Sequence, residues 1–519
     1  MIWLNAQDGN PDLAFELIER LPADDAPGAI GKVRSAYERR AEHLAEAEKD
    51  RLEAYAEARD EMTAKAEEND LSAALRSAIE MQTLSPAVDR ESVTRDPLVV
   101  QLVREAEEKA ATLESDGKWL EAQELYLRLH LLFEEQGRYR RDIERVSQRL
   151  TMLRLYVPRR LHDMRNEARL EIGEDELPPF NEIGEDWSEK LDGITARMVM
   201  RAMLTAQKDH VDGADLGAML TGGLSWLRTM ATTPDLVDAF PRLRDQDRVR
   251  DFTRAIDARI DELGRLPGRA SYFQLKETLD DVMRINARTL DLPETALLHE
   301  FGNGAMSRLD DYSSIIWPDE LRRFERSTQG SFTGVGIQIS MDEANQIVVV
   351  TPLEGTPAQR AGIKRNDIIR AVDGESTLGI TTSQAVDRIT GRKGTPVTLS
   401  VERSGEKEWL DFRIVRDVIP IYSVKGWERS GAGEDDWDWF IDDENRIGYV
   451  RITQFTEQTT RELRRAIRQM QRDGVNGLIV DLRFNPGGLL SEAVGVANVF
   501  VEEGVIVSQH DANGITRDR

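Results

Sequence analysis

The sequence predicts a multidomain α+β protein: a long all-helical N-terminal region, a compact β-rich module, and a partial α/β unit at the C-terminal end. Three observations carry this. Apolar residues recur at helical spacing over most of the first three hundred residues. At Gly330 the period changes from helical to alternating. After Asn445, strand and helix patterns alternate as β-α-β-α-β, which implies a parallel-type sheet with crossover helices. The divisions this suggests are 1–170, helical; 171–270, helical after an acidic linker; 271–328, a further helical stretch; 329–417, β-rich; and 418–519, α/β.

The helical elements come first. Val33 to Glu68 is rich in Ala, Glu, Arg and Lys, with larger apolar residues at Tyr37, Leu44, Leu52, Tyr55 and Met62. That spacing gives a heptad-like seam with one break, and a solvated helix packed on one face explains it better than a coiled coil. Three segments place a turn residue before an amphipathic helix: Asn10-Pro11-Asp12, Asn69-Asp70-Leu71, and Asp116-Gly117-Lys118-Trp119. The third, running through Tyr126 and Leu129, is similar to one tetratricopeptide helix. The irregular spacing of the three leaves helical hairpins and an unrelated bundle both open. Ile172 to Lys190, acidic and carrying Pro178-Pro179, reads as a loop. Helical pattern resumes from Leu191 to Leu263, Leu266-Pro267-Gly268 marks a turn, and Tyr272 to Met306 is helical again.

The β-rich module follows, with strands over Phe332 to Ser340 and Ile347 to Pro352. Gly426 to Asn445 is an acidic insertion holding Trp427, Trp437 and Trp439, its middle expected as an exposed loop. Beyond it the pattern predicts a strand over Ile447 to Ile452, a helix over Thr459 to Arg472 and a strand over Gly477 to Leu482. A helix over Leu489 to Phe500, a strand over Val505 to Ser508 and a hairpin turn at Asp511-Ala512-Asn513-Gly514 complete it.

Composition narrows the function classes. The 519 residues carry a net charge of −26, which opposes non-specific binding to nucleic acid or anionic lipid. There is no cysteine, so disulfides, thiolate metal sites and cysteine nucleophiles are excluded. The six histidines are scattered and form no HExxH or Gly-x-Ser-x-Gly partner set, so neither a metal site nor a histidine triad is expected. No cofactor is expected. No stretch reaches the roughly 20 apolar residues of a membrane-spanning helix, and no signal peptide is visible at Met1.

Four stretches carry a family resemblance. Leu309-Asp310-Asp311-Tyr312-Ser313-Ser314 with Trp317-Pro318-Asp319-Glu320 resembles the "LDPYSSYLSPEE" signature of C-terminal processing peptidases. Ser327 to Ile337 resembles that family's "STQGEFGGIGI". Thr356 to Ile369 is similar to the PDZ "SPAEKAGLKPGDVI". Asp481-Leu482-Arg483-Phe484-Asn485-Pro486-Gly487-Gly488 resembles "DLRNNPGG". Their order and spacing identify residues 270–519 with C-terminal processing (tail-specific) serine proteases of family S41. The resemblance implies a PDZ domain over 329–417, then the first part of a ClpP/crotonase-like protease core over 418–519. It also implies substrates recognised by their C-termini and a periplasmic or envelope location. The first 270 residues share none of it, and their helices leave self-association or an adaptor contact open.

Residue chemistry stands beside the resemblance. Gly334-Val335-Gly336 can turn consecutive amides outward to hold a terminal carboxylate, while the strand through Ile337 and Ile339 pairs with the bound peptide. Val386 and Ile389 are the candidates for the apolar pocket on the facing helix. In Asn485-Pro486-Gly487-Gly488, strand turns to helix and backbone amides are available to a developing oxyanion; the residues do not choose between Gly487 and Gly488 as donor. Asp481 and Arg483 are expected as a structural ion pair.

The resemblance further implies a serine nucleophile activated by a neutral lysine, both some dozens of residues beyond "DLRNNPGG". Leu489 to Arg519 contains Ser491 and Ser508 but no lysine, and the last lysine is Lys425. The expectation is therefore a truncated core, with nucleophile and base beyond Arg519 and these 519 residues inactive alone; the alternative is a non-catalytic helical and PDZ scaffold. One departure lies in the loop Ile389 to Thr395. Relatives carry an arginine thought to couple PDZ domain and active site where this chain has Thr390, and Arg388 or Arg392 are its possible substitutes.

Overall fold

The computed structural model describes residues 28–519 apart from 183–184, 266–269, 322–323, 325–330, 343, 354, 421, 432–435, 511–513, 515 and 519. The chain divides into two compact units, Met1–Leu150 and Thr151–Arg519.

In the first unit the described elements are helical: α1 (Gly28–Glu67), α2 (Leu71–Leu84), α3 (Arg90–Thr94), α4 (Pro97–Ser115), α5 (Trp119–Leu132) and the start of α6 (Arg140–Tyr156). Asp70 caps α2 by accepting from the Ala73 amide, and Asp96 caps α4 by accepting from that of Leu98. The core joins Met62 of α1, Leu75 and Met81 of α2, Leu102 and Ala106 of α4, and Trp119 and Leu129 of α5. Among the described side chains of the expected seam along α1, burial is confined to the C-terminal end. Met62 is enclosed, whereas Leu44 and Leu52 are exposed because α2 covers only the later turns.

The second unit continues with α7 (Pro158–Glu171) and an acidic segment in which Trp187–Lys190 forms a single helical turn, α8, capped by Asp186. The turn expected at Leu266-Pro267-Gly268 lies outside the described residues. Then come α9 (Ala196–Asp209), α10 (Leu216–Ala231), α11 (Gln246–Gly264), α12 (Tyr272–Arg288) and α13 (Glu294–Met306). Tyr272 to Met306 is thus two helices and not one. Thr289 to Pro293 separates them, because Pro293 cannot continue a helix from within and Asp291 sits at φ +48°. α10 and α13 cross in close contact. A β-carbon on Gly222 would lie 2.3 Å from the Gly304 carbonyl, and one on Gly304 would lie 2.6 Å from Trp226. The first family stretch packs onto these helices: Trp317 is buried and donates from Nε1 to Asn303 Oδ1, and Asp310 pairs with His210 at 2.8 Å.

The β-rich module is a six-stranded sheet in the order β2-β3-β4-β6-β7, with β5 on β4. Its strands are β2 (Ile337–Met341), β3 (Ile347–Pro352), β4 (Ile368–Val372), β5 (Glu375–Ser376), β6 (Pro396–Glu402) and β7 (Leu410–Val415). The strand expected over Phe332 to Ser340 is broken. Ser331–Gly334 is a separate β1, paired antiparallel with β8 (Asp417–Pro420) and not with the sheet. The break falls at Gly336, whose φ of +81° ends the extended run. α14 (Pro357–Ala361) and α15 (Thr382–Ile389) complete the module around Val335, Val349, Ile369, Ala385, Leu399 and Val401.

A buried ion pair staples this module. Arg403 donates from Nε and Nη2 to the two Asp367 oxygens at 2.7 Å each, and Asp367 also accepts the Lys364 amide. Asp367 is 1% exposed. Its loss would strand the guanidinium, so Asp367→Ala is expected to destabilise the module by about 3 kcal/mol. Denaturant-dependent hydrogen exchange across 347–402 measures this; a change below about 1 kcal/mol contradicts it.

The C-terminal part is a four-stranded sheet of β12 (Phe440–Asp442), β13 (Ile447–Ile452), β14 (Gly477–Asp481) and β9 (Val424–Lys425). β13 and β14 are parallel, joined through α16 (Thr459–Arg472), and α17 (Leu490–Ala497) follows. The third predicted strand differs: Val505 to Ser508 joins no strand, and the chain instead pairs β15 (Gln509–His510) with β16 (Thr516–Asp518). The turn residues Asp511 to Asn513 lie outside the described set. The Trp-rich insertion is also more ordered than expected. β10 (Glu428–Arg429) pairs with β11 (Trp437–Asp438), and Trp439 is buried in the core beside Phe440, Val450 and Leu463, since its ring gains from leaving water. The middle of the insertion, 432–435, lies outside the described residues.

Candidate functional site

The candidate peptide groove starts from one glycine. Gly336 carries its positive φ where a β-carbon would sit 2.4 Å from Thr356 Cβ, so no side chain fits. Its carbonyl accepts from Leu353 N at 2.9 Å and Thr356 Oγ1 at 3.0 Å, and the Val335 carbonyl accepts from Ala358 N at 2.8 Å. The carbonyls are thus tied inward. Among the described residues no backbone carbonyl accepts the Val335 or Gly336 amide. Two successive amides at the head of an edge strand form a nest for a carboxylate.

β2 is that edge strand, paired only with β3, and α15 packs beside it. Ile337 and Ile339 are partly buried against the module core, and Val386 on α15 is 40% exposed, so these three side chains remain the candidates for the groove wall. Two of the named residues keep their side chains in the core. Ile389 is 4% exposed within the module core, and the Val335 side chain is fully buried, so one supports the wall and the other contributes main chain. Gly334 lies in β1, opposite Asp417.

The loop after α15 is held by an arginine the sequence reading missed. Arg416 donates from Nε to the Ile389 carbonyl (2.9 Å), from Nη2 to that of Arg388 (2.7 Å), and from Nη1 to Thr395 Oγ1 and the Pro396 carbonyl. It satisfies the last carbonyls of the helix and adjoins β8. Thr390 caps the helix with its hydroxyl on the Val386 carbonyl, and Arg388 faces Glu375 at 3.5 Å. Separation in sequence hid Arg416: it lies a whole β-hairpin after the loop it closes.

At the second site, β14 ends in Asp481. The Arg483 guanidinium and the Tyr449 hydroxyl both donate to its carboxylate, at 2.7 and 2.6 Å. Arg483 first, then Tyr449 and the Arg483 amide, hold this carboxyl well below the ordinary carboxylate range. Its folded value is depressed, so its stabilisation is complete above the ordinary range and lost only in stronger acid. The expected ion pair therefore anchors the start of the turn. Phe484 follows in the left-handed region at φ +62° and is 91% exposed.

The turn itself separates the two glycines. Gly487 N donates to Asn485 Oδ1 at 2.8 Å, and its carbonyl accepts from Phe455 N at 2.9 Å. Leu489 N donates to the Phe455 carbonyl at 2.8 Å. The Gly488 amide has no described acceptor. Gly488 bridges Phe455 at φ +141°, and a β-carbon there would meet the Phe455 carbonyl at 2.1 Å. Gly488 thus lies against the segment between β13 and α16, and its amide has no acceptor among the described residues.

Lys425 lies opposite Arg451, which lies opposite Asp481, in one row across three strands. Burial first, then Arg451 and Arg429, pushes the Lys425 ammonium down from its ordinary value. Ser491 lies in the first turn of α17. Ser508 contacts His510 Nε2 at 2.9 Å, but the other ring nitrogen meets Thr516 and, among the described residues, no carboxylate, and all three residues are exposed. This arrangement lacks the acid that would orient a histidine base.

Residues 323–402 match the PDZ domain and residues 446–519 match peptidase family S41. The chain is 37% identical over 243 residues to a carboxy-terminal-processing protease of Bartonella bacilliformis, covering 46% of this chain and 52% of that protein. It is 36% identical over 207 residues to the carboxy-terminal processing protease CtpA of Bacillus subtilis, covering 40% and 41%. The chain thus spans about half the length of the curated relatives it matches. Among solved structures, a photosystem II D1 C-terminal processing protease aligns at 22% identity and TM-score 0.25, over 63% of this chain and 70% of that one. The resemblance drawn from the four motifs is borne out: a PDZ domain and an S41 protease region follow the helical region in that order.

Proposed function

We propose that this chain, kin to bacterial carboxy-terminal processing proteases over its second half, serves a serine endopeptidase that recognises substrate C-termini through its PDZ domain. The observation that carries this is the pair of main-chain donor sets with no acceptor among the described residues, Val335 with Gly336 and Gly488, each near the end of its own motif. The first would take a terminal carboxylate while β2 adds the peptide as a strand. The second would stabilise the oxyanion formed when a peptide carbonyl is attacked. Hydrolysis would use a serine hydroxyl activated by a neutral lysine.

We assign neither member of that pair to residues 1–519. No lysine follows Lys425, and the serines after the Gly-Gly turn, Ser491 and Ser508, have no lysine beside them. The same fact favours a second reading, a non-catalytic PDZ scaffold. A periplasmic or envelope location fits the bacterial relatives, and no helix among the described residues is long and apolar enough to cross a membrane. One experiment divides the two readings. A peptide with a free apolar C-terminus is incubated with the 1–519 polypeptide and with the complete protein, and products are read by mass spectrometry. Binding by both with cleavage only by the complete protein is expected; binding without cleavage by either leaves the scaffold, and cleavage by 1–519 alone overturns the residue assignment.

A further inference from the structure

The PDZ domain carries a second concavity that shares no residue with the peptide groove. It is a cavity of about 280 Å³ where the ends of β3, β4 and β6 meet the segment after β5. Ile347 and Ile369 contribute apolar lining, and Trp409 and Leu378 line it while remaining 58% and 49% exposed. A half-exposed tryptophan beside a half-exposed leucine leaves apolar surface in water, which a bound group would cover.

The polar lining is specific in sign. Arg370 is the one cation lining the cavity, and Nε and Nη2 both engage Glu402 Oε2 at 2.8 Å. Thr377 donates its hydroxyl to the Ile369 carbonyl. The carbonyls of Ser376 and Leu378 accept from Asn181 at 3.1 and 2.9 Å, which ties this wall to the acidic segment before α8. Two acceptors are left over. Gln346 Oε1 is buried without a partner, and Glu402 Oε1 receives no described donor. A ligand that completes this site must therefore donate hydrogen bonds. An anion would face Glu402 with the one guanidinium already engaged.

We propose that this cavity is a second binding site of the PDZ domain, taking a lysine or arginine side chain of a protein partner. The cationic head meets Gln346 Oε1 and Glu402 Oε1, and its aliphatic stem covers Leu378 and Trp409. A tryptophan ring is the most favourable aromatic partner for a cation. The volume lies below the range of drug-sized pockets, so one side chain suits it better than a larger ligand. The net charge of −26 draws basic partners toward the surface. This inference is independent of the peptidase reading, since it uses no residue of the groove or the Gly-Gly turn.

The test uses the 1–519 chain labelled with 5-fluorotryptophan, the Trp409 resonance being identified by its loss in Trp409→Phe. The probes are acetyl-Ala-Lys-Ala-amide and acetyl-Ala-Arg-Ala-amide, whose blocked ends give the groove no carboxylate, with the norleucine peptide as neutral control. A saturable shift of the Trp409 resonance is expected with the basic peptides, about tenfold weaker with norleucine, and weakened by salt. Glu402→Gln should reduce affinity about tenfold. Gln346→Leu, which leaves the Arg370–Glu402 pair intact, should reduce it about threefold without changing the melting temperature. Equal shifts from the norleucine peptide, no saturation up to about 10 mM, or unchanged affinity in Gln346→Leu would each overturn the proposal.

Discussion

In a polypeptide that carries the serine and lysine of the proposed mechanism, Gly488→Ala is expected to lower kcat/KM for peptide hydrolysis by about two to three orders of magnitude, the loss typical of removing one oxyanion donor. The reason is steric before it is electronic. The new β-carbon would fall 2.1 Å from the Phe455 carbonyl. Relief requires opening the Phe455 bonds to Gly487 and Leu489, and that swings the Gly488 amide away from its direction. The φ of +141° adds backbone strain for any residue with a side chain. Gly487→Ala is the matched control. Nothing lies within 4 Å of its β-carbon, and its amide is already bound to Asn485 Oδ1, so only the strain at φ +105° remains and a loss of about tenfold is expected. Peptide binding at the PDZ groove should be unchanged in both variants, which separates a local defect from misfolding. Gly488→Ala within threefold of the parent, or Gly487→Ala as the more damaging change, would remove Gly488 from the oxyanion role.

These sites were legible where function rests on main chain. A groove head and an oxyanion turn need glycine at fixed positions, so Gly336 and Gly488 were written into the motifs. The difference between Gly487 and Gly488 was not legible, because it depends on Phe455, which arrives from the segment after β13. Arg416 was missed for the same reason: no local pattern reveals which carbonyls an arginine will reach. The period of apolar residues identified β3 and α16, whose buried positions recur at strand and helix spacing, and the apolar runs identified β13 and β14, where Gly448 to Val450 are buried in succession. It failed where a single backbone setting decides. The run through Phe332 and Ser340 kept its alternation across Gly336, yet the positive φ there sent its two halves to different sheets. Val505 to Ser508 has the composition of a strand, but composition does not supply a neighbour with free hydrogen bonds. The cavity with Trp409 was invisible in sequence, being assembled from five separate segments.

A peptide ending in a free carboxylate should bind the groove about ten- to a hundredfold more tightly than the same peptide ending in an amide, since hydrogen bonds to a charged group contribute about 1.5–3 kcal/mol. The donors are the Val335 and Gly336 amides, held by the inward carbonyl bonds to Ala358, Leu353 and Thr356. Their direction is set by tertiary contacts and not by the ligand, so little ordering cost falls on binding. Substituting Gly336 would be a poor test, because a β-carbon 2.4 Å from Thr356 Cβ disturbs the fold as well as the nest. Changing the ligand avoids that difficulty. Val386→Asp supplies an independent arm: at 40% exposure this position tolerates a polar residue in the free protein. In the complex the carboxylate would face the apolar terminal side chain, and affinity should fall about tenfold or more. The two effects act at different ends of the terminal residue, one on its carboxylate and one on its side chain. In a calorimetric cycle combining the amide peptide with Val386→Asp they should therefore add nearly independently. Equal affinity for acid and amide would mean that the Val335 and Gly336 amides hold no carboxylate, and strand addition along β2 alone would then have to account for recognition.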